Sequence, residues 1–234
     1  MTDLNDKIAL ITGASRGIGR AVAIEAAKAG AHVILLARTQ GGLEEVDDEI
    51  RAAGGKATLI PMDLRRLEKV DQLGPSILER FGKLDILVGN AGMLGPLTPA
   101  HQIDPKDWEK VMNVNFHANV RLVRTLDPLL RASEAGRVVF TGSSTYNRPR
   151  AYWSLYRASK SALNMFAMTY AAETEKTNMR VNIIHPYAVQ TKMLDDAYPG
   201  GFSENPLSPE DIVPTFMELI NSSCEKHGEP VEVK

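Results

Sequence analysis

The sequence has little that would form disulfides, bind nucleic acid or enter a membrane. It contains one cysteine in 234 residues, so no internal disulfide can form, which suits a reducing compartment. Its formal net charge of −2 gives no electrostatic reason to expect a nucleic acid partner. No apolar run is long enough to span a membrane, and the first residues lack the pattern of a signal peptide. We therefore expect a cytoplasmic protein.

What the sequence does contain is a regular alternation of short apolar runs and longer amphipathic stretches. The apolar runs predict strands at residues 7–12, 32–37, 57–61, 84–89, 136–141, 179–185 and 229–233. The amphipathic stretches predict helices at residues 17–30, 43–54, 64–81, 105–131, 154–176 and 208–221. Because the strands are apolar throughout, both faces of their sheet should be covered. The sequence therefore predicts one α/β domain, residues 1–234, with a doubly wound parallel sheet of about seven strands and helices on both faces.

Three irregular segments, residues 90–104, 143–153 and 186–206, each follow a predicted strand. In an open parallel sheet the binding crevice lies beyond the carboxyl ends of the strands, so these segments should line one cleft. Within them, residues 93–98, 144–153 and 187–206 would form a substrate pocket. The apolar side chains of this pocket favour a moderately apolar small molecule, and they are Met193, Leu194, Tyr198 and Phe202. Trp153 would either line the same pocket or pack at the start of a helix.

The first predicted strand leads into a glycine-rich turn with Gly13, Gly17 and Gly19, and a predicted helix follows directly. Glycine is needed where the backbone approaches a pyrophosphate, and a helix N-terminus favours the negative charge of that group. The strand before and the helix after are the context that a dinucleotide site requires. We therefore predict a dinucleotide cofactor; a plain strand-to-helix turn is the alternative.

The second strand indicates which dinucleotide is bound. A site for NAD(H) places Asp or Glu about 20 residues beyond the glycines, to bind the ribose 2′-hydroxyl. Residues 35–40 contain no acid, and the first one downstream is Glu44. Arg38 at the strand end and Arg16 in the glycine turn match a phosphate instead. The sequence predicts NADP(H) over NAD(H), and a merely solvated Arg38 is the alternative.

Tyr156 and Lys160 are four residues apart in a predicted helix, so their side chains share one face. A nearby ammonium favours the phenolate and should lower the pKa of the phenol from its usual value near 10. Ser143 directly follows a predicted strand, where a hydroxyl can donate to a substrate oxygen as negative charge develops. Tyr146 and Tyr152 are rival phenols, but neither has a lysine four residues later.

These motifs resemble those of the short-chain dehydrogenase/reductase family, in its single-domain, NADP-preferring subgroup, over nearly the whole chain. The glycine turn after Thr12 matches the family's cofactor motif, and Asp63-Leu64 matches the acid that contacts adenine. Asn90-Ala91-Gly92 matches the Asn-Ala-Gly element, and Asn115 matches the asparagine that holds a water beside the lysine, with Asn113 as its rival. Ser143 stands thirteen residues before Tyr156, the spacing usual in the family.

The resemblance implies a Rossmann-fold oxidoreductase that transfers a hydride between NADP(H) and a carbonyl or secondary alcohol. Tyr156 would exchange the proton, Lys160 would lower the tyrosine's pKa and bind the nicotinamide ribose, Ser143 would orient the substrate, and Asn115 would complete a proton relay. The resemblance also implies a homodimer or homotetramer. The cofactor-binding residues would be Gly13, Ser15, Arg16, Gly17, Ile18, Gly19, Arg38, Asp63, Leu64, Asn90, Ala91, Gly92, Tyr156, Lys160, Pro186, Val189 and Thr191.

One departure from the family's pattern lies after the sixth strand, where Pro186-Tyr187 stands in place of Pro-Gly. Because glycine lets the backbone turn freely, the sequence leaves the local geometry at Tyr187 open. Two other functions stay open: a catalytically silent dinucleotide-binding regulator or scaffold, and a lyase or epimerase on the same scaffold. The five histidines show no metal-ligand spacing, so no metal site is expected.

Overall fold

The computed structural model describes residues 2–145 and 149–233. Seven strands in these ranges form one sheet: β1 (Ile8–Thr12), β2 (His32–Ala37), β3 (Lys56–Pro61), β4 (Ile86–Gly89), β5 (Arg137–Thr141), β6 (Arg180–Pro186) and β7 (Pro230–Val233). Every neighbouring pair is parallel, and the strand order is β3-β2-β1-β4-β5-β6-β7. The predicted doubly wound parallel sheet is confirmed, and each predicted strand is present with its ends shifted by two residues at most.

Helices connect the strands and cover both faces of the sheet. They are α1 (Gly17–Lys28), α2 (Gln40–Ala52), α3 (Leu67–Val70), α4 (Leu73–Phe81), α5 (Pro105–Met112), α6 (Ala118–Ala132), α7 (Ser154–Thr174), α8 (Lys192–Ala197) and α9 (Pro209–Ile220). A π-helical segment, Asn113–His117, joins α5 to α6, and a 3₁₀ turn spans Ala100–Gln102. Two short elements, α8 and the 3₁₀ turn, were not predicted from the sequence.

The apolar strands pack on two separate cores, one on each face. In β1, Ala9 and Ile11 belong to the cluster that includes α1, α2 and α9, whereas Leu10 belongs to the cluster that includes α6 and α7. All three side chains are fully buried. Successive strand residues point to opposite faces, so an apolar residue at every position is what a sheet covered on both sides requires.

The predicted helix at residues 64–81 is wrong in one respect, because it breaks into α3 and α4. Pro75 has no backbone N–H and cannot donate to the carbonyl four residues earlier. That carbonyl, on Asp71, instead accepts a hydrogen bond of 2.8 Å from Thr125 Oγ1 in α6. The side chain of Arg121, also in α6, pairs with the Asp71 carboxylate. The break is thus held by contacts to α6, which a local pattern does not contain.

The strand order reverses between β1 and β4, because β1 is followed by β2 on one side and lies beside β4 on the other. In such sheets a crevice forms at the carboxyl ends of the strands on either side of this reversal. The glycine turn after β1 and the segment after β4 therefore face the same space, which fixes the position of the site described below.

The ranges 2–145 and 149–233 contain neither a membrane-spanning helix nor a cluster of metal ligands. No helix there combines the length and the apolar character needed to cross a membrane. The same ranges contain no group of three or more His, Cys, Asp or Glu side chains placed to hold a metal ion.

Candidate active site

A cavity of about 1060 Å³ opens at the carboxyl ends of the strands. All three irregular segments contribute to its wall, as the sequence predicts. Of the residues predicted to bind cofactor or act on substrate, all line the cavity except Gly19 and Asn115, which lie behind the wall. We call the part around Gly13, Gly17, Arg38 and Asn90 the glycine end. The aromatic end comprises Arg150, Trp153, Arg157, Tyr198 and Phe202.

The glycine end has no room for side chains at its turn. Gly13 and Gly17 have positive φ angles of 66° and 57°, a region that other residues rarely adopt. At Gly19 a Cβ atom would lie 2.4 Å from the Gly13 carbonyl oxygen and 2.4 Å from Asn90 Nδ2. A Cβ atom on Gly17 would approach Thr191 Cγ2 to 3.1 Å. The backbone is therefore bare towards the cavity, which fits the close approach of a pyrophosphate at the N-terminus of α1.

Thr12 and Asn90 tie the ends of three strands together beneath the turn. Thr12 Oγ1 accepts hydrogen bonds from the backbone N–H groups of Asn90 and Ala91, each at 3.0 Å. Asn90 Nδ2 donates to the Thr12 carbonyl oxygen at 3.0 Å, and Thr141 Oγ1 donates to Asn90 Oδ1 at 3.2 Å. Asn90 thus holds β1, β4 and β5 in register. The sequence does not predict these hydrogen bonds of Thr12, although Thr12 directly precedes Gly13.

Arginines dominate the outer part of the glycine end. Arg16 and Arg38 are exposed and line the cavity. The Asp63 carboxylate accepts two hydrogen bonds from Arg65 Nε, at 3.0 and 2.9 Å. These bonds hold the pKa of Asp63 below its usual value against the opposing effect of burial, and the charge of Arg38 lowers it further. Asp63 is therefore an ionised acceptor that Arg65 keeps in place, a partner that the Asp-Leu motif does not predict.

Tyr156 and Lys160 lie in the first two turns of α7, and both are buried. Lys160 Nζ lies 5.9 Å from the centroid of the Tyr156 ring and donates to the Thr141 carbonyl oxygen at 2.6 Å. Burial lowers the pKa of Lys160 to about 8. Burial also raises the pKa of Tyr156, and a hydrogen bond with Ser143 offsets this only in part. The net direction for Tyr156 is opposite to the expected one, because removal from water outweighs the hydrogen bond with Ser143.

Ser143 is held by the loop around it and by a buried histidine. Its Oγ shares a hydrogen bond of 2.9 Å with Thr145 Oγ1, and its backbone N–H lies 3.0 Å from His185 Nδ1. His185 is completely buried, and burial lowers its pKa, so the ring is neutral at pH 7. A Cβ atom on Gly142 would lie 2.4 Å from His185 Nδ1. The sequence gives His185 no particular role, because its contact with Ser143 depends on the pairing of β5 with β6.

Asn115 lies in the π-helical segment and is completely buried. Its Oδ1 accepts from the Met93 backbone N–H at 2.8 Å, and its Nδ2 donates to the Met93 carbonyl oxygen and to Ser159 Oγ, both at 2.9 Å. A Cβ atom on Gly92 would lie 3.5 Å from Lys160 Nζ and 3.6 Å from Asn115 Oδ1. Asn115 and Lys160 therefore flank Gly92, and Asn115 fixes the segment after β4.

Tyr187 does not distort the backbone. In the described ranges only Asp6 and Tyr152 are non-glycine residues with positive φ, so Tyr187 needs no glycine-like conformation. Its N–H donates to the Val233 carbonyl oxygen at 2.9 Å, and its hydroxyl donates to Glu204 Oε2 at 2.8 Å. The geometry that the sequence leaves open is therefore ordinary extended pairing, because Tyr187 continues the pairing of β6 with β7.

Of the two rival phenols, only Tyr152 lies in the described residues, and it is not placed like Tyr156. Tyr152 has a φ of 71° and is 59% exposed, and it does not line the cavity. Tyr146 lies outside the described residues. Tyr156 is thus the phenol that the structure brings to Ser143 and Lys160.

The aromatic end begins at Tyr156 and continues outward through a chain of rings. The Trp153 ring centroid lies 6.0 Å from that of Tyr156 and 6.1 Å from that of Tyr198, which in turn lies 4.9 Å from Phe202. Met193 and Leu194 of α8 line the same region, so the apolar residues predicted for a substrate pocket share one cavity. Arg150 and Arg157 also line it, and the sequence did not single them out.

Known proteins resemble this chain in both sequence and fold over most of its length. A family model for short chain dehydrogenases matches residues 7–200. The uncharacterized oxidoreductase YciK of Escherichia coli (strain K12) is 36% identical over 226 residues, which are 95% of this chain and 89% of YciK. A crystal structure from Shigella flexneri 2a, complexed with NADP, has a TM-score of 0.93 at 37% identity and covers 99% of each chain. Another from Escherichia coli CFT073, complexed with NADPH, has a TM-score of 0.91 at 38% identity and covers 98% of this chain and 97% of the other.

Proposed function

We propose that this chain, which belongs to the short-chain dehydrogenase/reductase family, transfers a hydride between NADP(H) and a carbonyl or secondary alcohol. Membership of that family makes the chain an oxidoreductase. One observation carries the proposed reaction: Ser143, Tyr156 and Lys160 meet in a cavity whose other end is a bare glycine turn. The turn suits a dinucleotide, and the three side chains suit proton transfer to an oxygen.

Support for NADP(H) comes from the charges at the glycine end. Arg16 and Arg38 would bind the 2′-phosphate, for which a guanidinium has matching charge and geometry. The bare backbone of the turn would bind the pyrophosphate, Asp63 the adenine, and Thr191 the nicotinamide amide. Two solved relatives hold NADP or NADPH. The nicotinamide supplies the hydride when bound, and that chemistry belongs to the cofactor.

Tyr156 would handle the proton. Because burial raises its pKa, its hydroxyl is protonated at neutral pH and can donate to a carbonyl oxygen. In alcohol oxidation the phenolate would first have to form, and the ammonium of Lys160 would stabilise it.

Ser143 and Asn115 would support Tyr156 in different ways. The hydroxyl of Ser143 would donate to the substrate oxygen as negative charge develops there. Asn115 holds the segment after β4 against Lys160, and it would position a water molecule beside Lys160 through which a proton from bulk solvent replaces the one that Tyr156 gives up. Lys160 would bind the nicotinamide ribose. The substrate is a small molecule with its carbonyl at Tyr156 and its remainder at the aromatic end.

The Tyr156→Phe variant tests this reaction, with Tyr152→Phe as the matched control. The wild type should oxidise NADPH, followed by absorbance, with at least one member of a panel of ketones and aldehydes. Loss of a general acid should lower kcat by about 10²–10⁴-fold in Tyr156→Phe. NADPH affinity, measured by calorimetry, should fall by no more than about tenfold in Tyr156→Phe, the loss of one of many cofactor contacts. Tyr152→Phe should keep both its NADPH affinity and its full activity.

Two results would contradict the proposal. NADPH binding without turnover of any carbonyl or alcohol would favour the silent regulator, and full activity of Tyr156→Phe would remove the proton donor. A homodimer or homotetramer, a cytoplasmic location and a single domain stay predictions from the sequence.

A further inference from the structure

Arg157 carries a buried and uncompensated part of its charge at the wall of the cavity. It directly follows Tyr156 in α7, and its Nε and Nη1 atoms are buried without a hydrogen-bond partner. Burial and the charge of Arg150 lower the pKa of Arg157, in that order. Burying a charged donor is costly unless an acceptor meets it. The wall therefore holds a cation whose two sealed nitrogens lack an acceptor, so an anion in the cavity would offset its charge without bonding to those two atoms.

A second guanidinium lies on the same indole ring. The Cζ atom of Arg150 is 5.0 Å from the Trp153 ring centroid, and that of Arg157 is 5.9 Å from it. Arg150 also lies over the Tyr198 ring at 5.2 Å and donates to the Tyr198 hydroxyl. Neither arginine forms an ion pair with any residue in the ranges 2–145 and 149–233. Two like charges around one ring repel each other, and an anion between them would reverse that repulsion.

The other charges of the cavity do not take this role. Lys192 lines the cavity, but its ammonium pairs with Asp196 at 2.8 Å. Arg16 and Arg38 belong to the glycine end, where a cofactor phosphate would meet them. Glu204 accepts from Tyr187 and forms no ion pair with either arginine of the aromatic end. Arg150 and Arg157 are therefore two cations without a carboxylate partner in the ranges 2–145 and 149–233, at the end of the cavity where the proposed substrate's remainder would lie.

We propose that Arg150 and Arg157 bind an anionic group of the substrate, a carboxylate or a phosphate, while its carbonyl lies at Tyr156. The placement of the carbonyl at Tyr156 rests on the proposed function, whereas binding of the anionic group does not require turnover. The Trp153 ring is close to both parts of the site: its centroid lies 6.0 Å from that of Tyr156, and 5.0 and 5.9 Å from the Cζ atoms of Arg150 and Arg157. The two groups of the substrate should thus be separated by roughly the length of one aromatic ring, and the intervening part should be apolar enough to pack on Trp153.

Calorimetric titration of the NADP-loaded protein tests this with matched probes. The probes are para-acetylbenzoate, its methyl ester and para-acetylphenyl phosphate, which share one ketone and differ in the distal group. The carboxylate or the phosphate should bind at least about tenfold more tightly than the ester, as expected for a charge-assisted hydrogen bond. The tighter of the two anions identifies the group. Equal affinity for all three probes, or no binding by any, would overturn the proposal.

Variants assign the effect to the two arginines. Arg157→Gln, and the double variant Arg150→Gln with Arg157→Gln, should lose the preference for the anion and keep NADP affinity. Arg80→Gln removes an equal charge from α4, outside the cavity, and should change nothing. Arg150 is exposed, so Arg150→Gln alone should fold and show part of the loss if Arg157→Gln does not fold. A preference that survives in the double variant would overturn the proposal.

Sedimentation of the same variants separates ligand binding from assembly. If a second copy of the chain supplied the missing acceptor, Arg157→Gln would alter the oligomeric state and leave the anion preference intact, which would also overturn the proposal. If instead the anion preference is present and no carbonyl is turned over, the proposed reaction fails while the anion site stands.

Discussion

The glycine end and the aromatic end of the cavity are built from different kinds of contact. At the glycine end, backbone atoms and buried polar groups meet directly, and a Cβ atom on Gly19 would lie 2.4 Å from two of them. At the aromatic end, partly exposed side chains from the 149–153 segment, α7 and the segment after α8 pack on one another. The first end tolerates one arrangement, because steric limits define it. The second can change its side chains without moving the sheet, which is how a fixed scaffold accepts new substrates.

Gly19→Ala should break the glycine end, with the largest effect among these predictions. The added methyl must displace the Gly13 carbonyl or the Asn90 amide, at a cost of about 1–3 kcal/mol in overpacking. NADPH affinity should fall by up to about a hundredfold. Calorimetry and thermal unfolding measure the two effects. Gly41→Ala is the matched control, since nothing lies within 4 Å of its Cβ position, and unchanged affinity in both variants would refute the steric account.

Arg38→Asp should sharpen the comparison, because it changes the charge at the glycine end without filling space. Loss of a charge-assisted contact and the new repulsion should weaken NADPH relative to NADH by about ten- to a hundredfold. The ratio of the two affinities is the measurement. Arg80→Asp, outside the cavity, should leave the ratio as it is. An unchanged ratio in Arg38→Asp would remove Arg38 from the phosphate site.

The pH profile of kcat/KM for carbonyl reduction reports on Lys160, between the two ends. With a pKa of about 8, its ammonium is present below that pH and is lost above it. Tyr156 stays protonated in this range because its pKa is raised. The profile should therefore fall above about pH 8 and be roughly tenfold lower one unit higher. The kcat/KM of Lys160→Arg, whatever its absolute value, should not fall over the same pH range, because a guanidinium stays charged. A wild-type profile that stays flat to pH 9 would contradict the role of the ammonium.

Tyr187→Phe should have the smallest effect. It removes the hydroxyl bond to Glu204 and leaves the backbone bond to Val233. Since Tyr187 is 43% exposed, the free energy of unfolding should change by about 0.5–1 kcal/mol at most. NADPH affinity should not change. A loss of cofactor binding in this variant would restore the view that Tyr187 controls the backbone near the nicotinamide.

The sequence predicted the sheet and the glycine end well for a physical reason. Strands buried on both faces are apolar throughout, so their sequence pattern is plain. A turn without room for side chains requires glycine, which is equally visible in the sequence. It did not predict the break at Asp71, because Thr125 supplies the replacing hydrogen bond from another helix. It also gave the wrong direction for the pKa of Tyr156, since spacing reports the neighbouring lysine but not burial. The sequence did not single out Arg150 and Arg157, because the role of an arginine depends on which residues it contacts. Those contacts are set by tertiary packing.

Transfer of a labelled hydride tests the central claim most directly. NADPH deuterated on its hydride-donating carbon would be incubated with the wild-type chain and a carbonyl compound from the panel, and the product alcohol would be analysed by mass spectrometry and NMR. The account predicts one deuterium on the carbinol carbon and none on the oxygen after exchange in water. NADPH consumption with no deuterium in the alcohol, or no alcohol from any member of the panel, would contradict it.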